Sequence, residues 1–274
     1  MKKMKDLTLN SQEAIQTLTG FIQNVVAKAG FSKVVLGVSG GVDSALSAFL
    51  SARALGAENV LALRLPYKTS SPESLEHAQL VVDKLGCPSK TIEITDAVDA
   101  ILVQHPDATP VRVGNVMARV RMINIYDQSA AFPGLVVGTG NKAEILLGYS
   151  TIHGDGAFDF NPLADLYKAQ VRQLSRDLGV PDVIITKAPS ADLWAGQTDE
   201  VEIGYTYEDM DHLFYSLVEE GYTRDKCVEE GLPPEFVDSL IDRIKRYRFK
   251  SVLPKSATVG QTSLSELETL PFYS

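Results

Sequence analysis

The run Lys33-Val34-Val35-Leu36-Gly37-Val38 is short, apolar and β-branched. It leads directly into Ser39-Gly40-Gly41-Val42-Asp43-Ser44 and a helical stretch from Asp43 to Leu55. A buried strand, a glycine turn and a helix start, in that order, call for a parallel sheet covered by helices. The rest of the chain repeats the alternation. A helix is expected over 11–29, with Ile15, Leu18, Ile22, Val25 and Val26 on one face. Asn10 and Glu13 are spaced as in a capping box at its start, and Gly30 closes it. Val60 to Leu65 reads as a second strand, and Ser71-Pro72-Glu73 opens a helix with proline at its first position. Thr91 to Ile94 reads as a third strand, and Leu135 to Gly138 as a fourth. Helices are expected around 96–103, 115–131 and 165–178, with loops over 105–114 and 187–204. Val183-Ile184-Ile185 is a short apolar piece, and 207–247 reads as helical, with Phe236, Leu240, Ile241, Ile244 and Tyr247 on one face.

Strands alternating with helices imply parallel pairing through right-handed crossovers. The expected class is α/β: a doubly wound, mainly parallel sheet flanked by helices, with a helical C-terminal part. No repeat or linker divides the chain, so 1–274 reads as a single domain, its last twenty polar residues partly mobile.

Composition narrows the partners. The formal charge of −9 disfavours a protein whose main task is gripping nucleic-acid phosphates. The two cysteines, Cys87 and Cys227, form neither a CxxC pair nor zinc-ligand spacing, so a reduced, cytoplasmic setting is expected. The N-terminal stretch lacks a signal-peptide core, and no apolar run is long enough to span a bilayer, so no membrane partner is expected.

The chemistry lies in the segment from Ser39 to Ser44. Two glycines let the backbone approach a ligand closely, and the helix start turns N–H groups and a positive dipole end toward an anion. Ser39 and Ser44 add hydroxyls. Asp43 would repel a phosphate unless a divalent cation lay between them. The blander reading is a capped glycine turn. At ordinary residue frequencies, however, so many fixed positions arise by chance in about one chain per thousand or fewer. Neither GxxxxGK[ST] nor GxGxxG occurs.

SGGVDS after a first strand resembles the pyrophosphate-binding loop of the N-type ATP pyrophosphatases: NAD, GMP and asparagine synthetases and tRNA-thiolating enzymes. Later segments choose among them. Gly114-Asn115-Val116-Met117-Ala118-Arg119-Val120-Arg121 is similar to a stretch of the NAD synthetases. So are Gly138-Thr139-Gly140-Asn141-Lys142-Ala143-Glu144, Gly148-Tyr149, Gly154-Asp155-Gly156 through Asp159 to Pro162, and Pro189-Ser190-Ala191-Asp192-Leu193. The likeness runs from about residue 11 to 255, and it implies an adenine nucleotide alpha hydrolase-like fold.

The resemblance implies a stand-alone, ammonia-dependent ligase. ATP would adenylate the nicotinate carboxylate of deamido-NAD, releasing pyrophosphate, and ammonia would displace AMP to give NAD. By motif match, Gly37, Val38, Ser39, Gly40, Gly41, Val42, Asp43 and Ser44 would bind ATP, together with Thr139, Lys168 and Ser190. Arg64, ending the second strand, is a further candidate for contacting ATP. Asp43 and Glu144 would hold Mg²⁺. Arg119, Asp159, Phe249 and Lys250 match deamido-NAD contacts. Asp155 would assist ammonia as a base, and Lys168 would be the second catalytic residue. A homodimer is implied, with the dinucleotide site near its interface, and a separate glutaminase could supply the ammonia.

Three positions depart from the pattern. Ile152 stands where many members carry a lysine, Ser190 replaces a threonine while keeping the hydroxyl, and Val42 replaces a glutamine found in some members. Other residues read as structural. Arg119 and Arg121 point to different helix faces, so one belongs to a structural ion pair. His153 is a loop or rim residue, Trp194 packs over the site, and Cys87 and Cys227 are inert. Two rivals remain: another N-type pyrophosphatase, amidating as GMP synthetase does, and a non-catalytic ATP-binding module. Retention of Asp43, Glu144 and Lys168 together speaks against the second.

Overall fold

The computed structural model describes residues 5–190 and 198–252. Expectations for Trp194, for Ala191-Asp192-Leu193 and for the last twenty residues lie outside these. Helix α1 (Ser11–Lys28) is followed by β1 (Val34–Gly37), α2 (Val42–Leu55), β2 (Val60–Arg64), α3 (Pro72–Leu85) and β3 (Ser89–Thr91). Then come α4 (Thr95–Leu102), α5 (Pro110–Ala131), β4 (Leu135–Val136), α6 (Lys142–Leu147) and α7 (Lys168–Asp177). The C-terminal part holds α8 (Asp182–Ile185), α9 (Asp199–Ile203), α10 (Tyr207–Val218), α11 (Arg224–Glu229) and α12 (Pro234–Tyr247).

The strands are ordered β3-β2-β1-β4, and every neighbouring pair is parallel. Successive side chains of a strand face opposite ways. Val34 and Leu36 of β1, with Val60 and Ala62 of β2, enter a core shared with α1, α2 and α7. Val35, Leu61 and Leu63 enter a second core under α4 and α5. With both faces covered, the strands carry near-continuous apolar runs instead of alternation. A third cluster joins Ala143, Leu147 and Tyr167 to Tyr207, Met210, Phe214 and Val237 of the C-terminal helices. Among the described residues no helix is long and apolar enough to cross a membrane.

Several boundaries differ from expectation for local reasons. The third strand pairs with β2 over Ser89–Thr91, earlier than expected, and Ile94 is buried at the entrance to α4. Helix α5 begins at Pro110, inside the expected loop: proline takes the first turn, and the Thr109 side chain accepts from the Arg112 N–H. Gly114 is therefore a buried helical residue and not a break. Asn10 caps α1 by accepting from the Glu13 N–H, one half of the expected box. Val183-Ile184-Ile185 falls in α8, and α9 occupies the end of the expected 187–204 loop. The 207–247 stretch is three helices, separated at Gly221 and Gly231, whose φ values of 66° and 96° suit glycine.

The first connection from β1 leads to β2 on one side, whereas β4 pairs on the other. Parallel α/β sheets place their ligand crevice at such a reversal, beyond the carboxyl ends of the strands. Here that end of β1 is the Ser39–Ser44 segment, and that of β4 is Gly138-Thr139.

Candidate active site

The loop after β1 is held by its own hydroxyls. Ser44 Oγ accepts from the Ser39 N–H at 3.1 Å, lies 3.0 Å from Ser39 Oγ and reaches the Gly41 carbonyl at 3.0 Å. Gly40 has φ 83°, and a Cβ there would sit 2.2 Å from the Ser74 carbonyl oxygen. Only glycine fits where α3 closes over the loop. Gly41 caps α2 without a side-chain hydrogen bond, so the first N–H groups of that helix stay available to an anion. They open on a cleft of about 950 Å³ lined from β1, β2, β4 and the first turns of α2, α3 and α7.

At the floor of the cleft, Asn141 joins two carboxylates. Its Nδ2 donates to Asp43 Oδ1 at 3.0 Å and to Glu144 Oε1 at 2.7 Å. Its Oδ1 accepts from the Glu144 N–H while Glu144 Oε2 accepts from the Asn141 N–H, a full capping box that starts α6. Lys168, 2% exposed, lies 2.5 Å from Asp43 Oδ2 and 3.6 Å from Glu144 Oε1. Tyr207 donates to Glu144 and Asp199, and Tyr149 to Asp199 and Glu202. Burial first, and then the charge of Asp43, push Glu144 well above the ordinary carboxylate range, with Lys168 opposing. Burial raises Asp199 too, Lys168 again opposing. Burial tends to lower Lys168, but Asp43 and Glu144 overcome it, so the net shift is upward.

Three carboxylates around one ammonium leave this centre short of positive charge. A hard divalent cation fits it: Asp43 and Glu144 converge on one amide, and two carboxylates leave coordination positions for water and phosphate oxygens. No set of three or more acidic, histidine or cysteine side chains gathers as a ready metal cage among the described residues.

A second wall comes from residues 148–156. Thr151 Oγ1 donates to Asn115 Oδ1 at 2.8 Å, and a Cβ on Gly154 would meet Ala118 at 2.9 Å, so this segment is seated on α5. Asp155 opens to the cleft and accepts from the Thr151 N–H at 2.8 Å. Crowding by protein atoms moves its carboxyl upward, against that hydrogen bond and the charge of Lys250. Lys250 donates to the Gly148 and Ser150 carbonyls at 2.9 and 2.7 Å. Arg243 lies over the rings of Tyr149 and Tyr247.

The cleft gathers Gly37, Val38, Ser39, Gly41, Val42, Asp43, Ser44, Arg64, Thr139, Glu144, Asp155, Lys168, Ser190 and Lys250. Arg64 donates to Gln79 at its edge. Gly40 faces α3. Arg119, Asp159 and Phe249 are exposed outside the cleft lining. Arg119 donates to the Ile152 carbonyl at 3.2 Å, and Asp159 accepts from the Val136 N–H at 2.7 Å. Arg121 lines the cleft and donates to the Leu65 carbonyl at 3.0 Å. His153 sits in the left-handed region at φ 58°, and both cysteines are buried. From the sequence alone Asn141 stands only as a member of the Gly138–Glu144 motif, and Asp199, Tyr207 and Lys187 carry no assigned role. The Asn-x-x-Glu spacing of a capping box could have revealed Asn141; Asp199 and Tyr207 carry no comparable local mark.

The family model for NAD synthase matches residues 14–254. An NH(3)-dependent NAD(+) synthetase from Chlorobaculum parvum is 51% identical over 93% of this chain and 92% of its own length. Among solved structures, an NH3-dependent NAD synthetase from Campylobacter jejuni, in complex with nitrate, is 35% identical, with a TM-score of 0.78 over 92% of this chain and 100% of its own. An NMN synthetase from Francisella tularensis is 31% identical, with a TM-score of 0.81 over 91% and 99%. A match through loop, cleft walls and C-terminal helices alike makes this chain a member of the NAD synthase family.

Proposed function

We propose that the protein is an ammonia-dependent NAD synthetase, a ligase of NAD biosynthesis acting on ATP, deamido-NAD and ammonia. The observation that carries this reading is the convergence of Asp43, Glu144 and Lys168 beside the glycine loop, in a chain of this family. A non-catalytic ATP-binding module has no use for a buried ammonium among three carboxylates.

A carboxylate is a poor acyl donor because its oxygen leaves badly, so the acid must first be joined to AMP. The loop N–H groups and the Ser39 hydroxyl hold the triphosphate, and the Ser44 hydroxyl braces the loop around it. Thr139, Ser190 and Arg64 position the rest of the nucleotide. Asp43 and Glu144 would hold Mg²⁺, which supplies charge neutralisation at the phosphates. The nicotinate carboxylate attacks the α-phosphorus, the bond to the bridging oxygen breaks, and the electron pair leaves with pyrophosphate. Lys168, in contact with Asp43 and near Glu144, offsets the negative charge at the floor of the cleft during this step. Ammonia then attacks the acyl carbon and AMP departs. Asp155, on the facing wall, binds ammonium and takes the surplus proton, for which its upward-shifted carboxyl is suited.

Lys250 reaches deamido-NAD from within the cleft. Arg119, Asp159 and Phe249 lie on the outer surface, an arrangement suited to a homodimer whose dinucleotide site extends toward the interface. The chain then acts as one synthetase unit over 1–274 in the cytoplasm, with ammonia free or delivered by a separate glutaminase.

The test is AMP and NAD formation from ATP, Mg²⁺ and deamido-NAD, with ammonium or glutamine as nitrogen source. NAD with ammonium alone supports the reading. Parallel assays with XMP, and for NMN formation from the mononucleotide acid, cover the GMP synthetase-like rival and the likeness to the Francisella protein. Product only in one of those would overturn it.

A further inference from the structure

A second lysine lines the cleft with different company. Lys187 follows α8, and its ammonium donates to Ser74 Oγ at 2.9 Å. Ser74 lies in the first turn of α3, and its carbonyl is the group that closes over Gly40. Lys187 is thereby tethered to the segment that seals the glycine loop.

The charge of Lys168 is already matched by Asp43 and Glu144. Among the described residues no carboxylate lies within ion-pair distance of Lys187, and its hydroxyl partner is neutral. Glu73, the nearby acid of the same turn, is 60% exposed and lies 3.8 Å from His77. The other cleft cations are engaged elsewhere: Arg64 by Gln79, Arg121 by the Leu65 carbonyl, Arg243 over the Tyr149 and Tyr247 rings, and Lys250 by two carbonyls at the opposite wall.

Adenylation creates a need for such a cation. When the bond from the α-phosphorus to its bridging oxygen breaks, the departing pyrophosphate gains one unit of negative charge. Interactions aimed at charge that develops in the transition state raise the rate of the chemical step. We propose that Lys187 is a further catalytic residue, its ammonium contacting the β/γ end of ATP and neutralising pyrophosphate as it leaves. This rests on the reaction proposed above.

The test compares Lys187→Ala and Lys187→Arg with the unmodified protein in steady-state assays, product inhibition by inorganic pyrophosphate and thermal unfolding. Losing one charge-assisted contact should lower kcat/KM for ATP by about 10- to 100-fold and weaken pyrophosphate inhibition by about 10-fold or more. KM for deamido-NAD and ammonium should stay within about twofold. Lys187→Arg should recover most of the loss. Unchanged kinetics in a folded Lys187→Ala protein would overturn the assignment. So would equal losses toward all substrates with normal pyrophosphate inhibition. If alanine prevents folding, Lys187→Gln is read by the same criteria. If the unmodified protein makes no NAD, the reaction proposed above fails; calorimetric titration with inorganic pyrophosphate still decides the Lys187 contact, equal affinity in both proteins overturning it.

Discussion

Lys168 Nζ lies 2.5 Å from Asp43 Oδ2, although 125 positions separate the two residues in the chain. Each stands in the first turn of a helix, Asp43 in α2 and Lys168 in α7. A carboxylate suits that place, whereas a cation opposes the helix dipole. The lysine is therefore not there for the helix. It offsets the buried carboxylates that surround it.

Lys168→Met should lower unfolding stability by about 3–5 kcal/mol at pH 7.5, because it leaves buried carboxylates uncompensated. Glu144 and Asp199 already bind protons more readily than free carboxylates, so acid relieves the repulsion. The deficit should shrink as the pH falls toward 5. Urea unfolding at both pH values measures it, and a pH-independent deficit would count against this account.

Asp43→Asn keeps the shape of the side chain and one acceptor oxygen, for Lys168 or for Asn141, and removes the charge. NAD formation should fall about 100- to 1000-fold while the circular dichroism spectrum stays unchanged. Near-normal turnover would remove Asp43 from the metal-binding role.

Much of this arrangement was legible in the sequence because it is local. The β-branched run before Ser39, the two glycines and the Pro72 helix start each act over a few residues. Helix α6 was not anticipated: six residues show little periodicity, and its start is marked by a side-chain exchange between Asn141 and Glu144. The role of Asp199 was illegible for another reason. It depends on Tyr149 and Tyr207 arriving from distant segments, which no spacing encodes. Within 105–114, Thr109-Pro110 is itself a helix-start signal, masked by the turn-prone residues around it.

Gly40→Ala tests the seal between the loop and α3. The added methyl would lie 2.2 Å from the Ser74 carbonyl oxygen, on a backbone at φ 83°. Strain of this kind costs about 1–3 kcal/mol before the clash is relieved. A lower melting temperature and weaker ATP binding by calorimetry are expected together; loss of neither would mean that α3 moves aside freely.

Asp155→Asn should slow amide formation more than adenylation. Pyrophosphate release would continue while NAD appears slowly, with AMP arising by hydrolysis of the adenylate. In the unmodified protein the ammonia step should accelerate as the pH rises through the upward-shifted titration of Asp155. Rapid quenching with separate quantification of pyrophosphate and NAD distinguishes the steps, and equal slowing of both would sink the ammonia assignment.

Asp211 is 1% exposed, accepts from the Ala169 N–H at 3.0 Å and is raised from 3.8 to about 6, chiefly by burial. With the folded value above the unfolded one, the stability due to its proton is complete below pH 4 and lost as pH rises through 6. Asp211→Asn should match the unmodified protein at pH 4 and exceed its stability by about 2–3 kcal/mol at pH 7.5. Chemical unfolding across that range measures the divergence, and parallel curves would refute it.

The centre draws its members from different parts of the interior. Asp43 stands on α2, packed with the sheet, whereas α6, carrying Glu144, is rooted through Ala143 and Leu147 in the C-terminal helical cluster. Tyr207 belongs to that cluster as well. The order in which the molecule comes apart on warming is then a functional property. Should the C-terminal helices loosen first, as separate cooperative units can, activity would vanish while amide protons of β1 and β2 remained protected from exchange. Inactivation would be an early, local event, reversible on cooling for as long as the sheet endured.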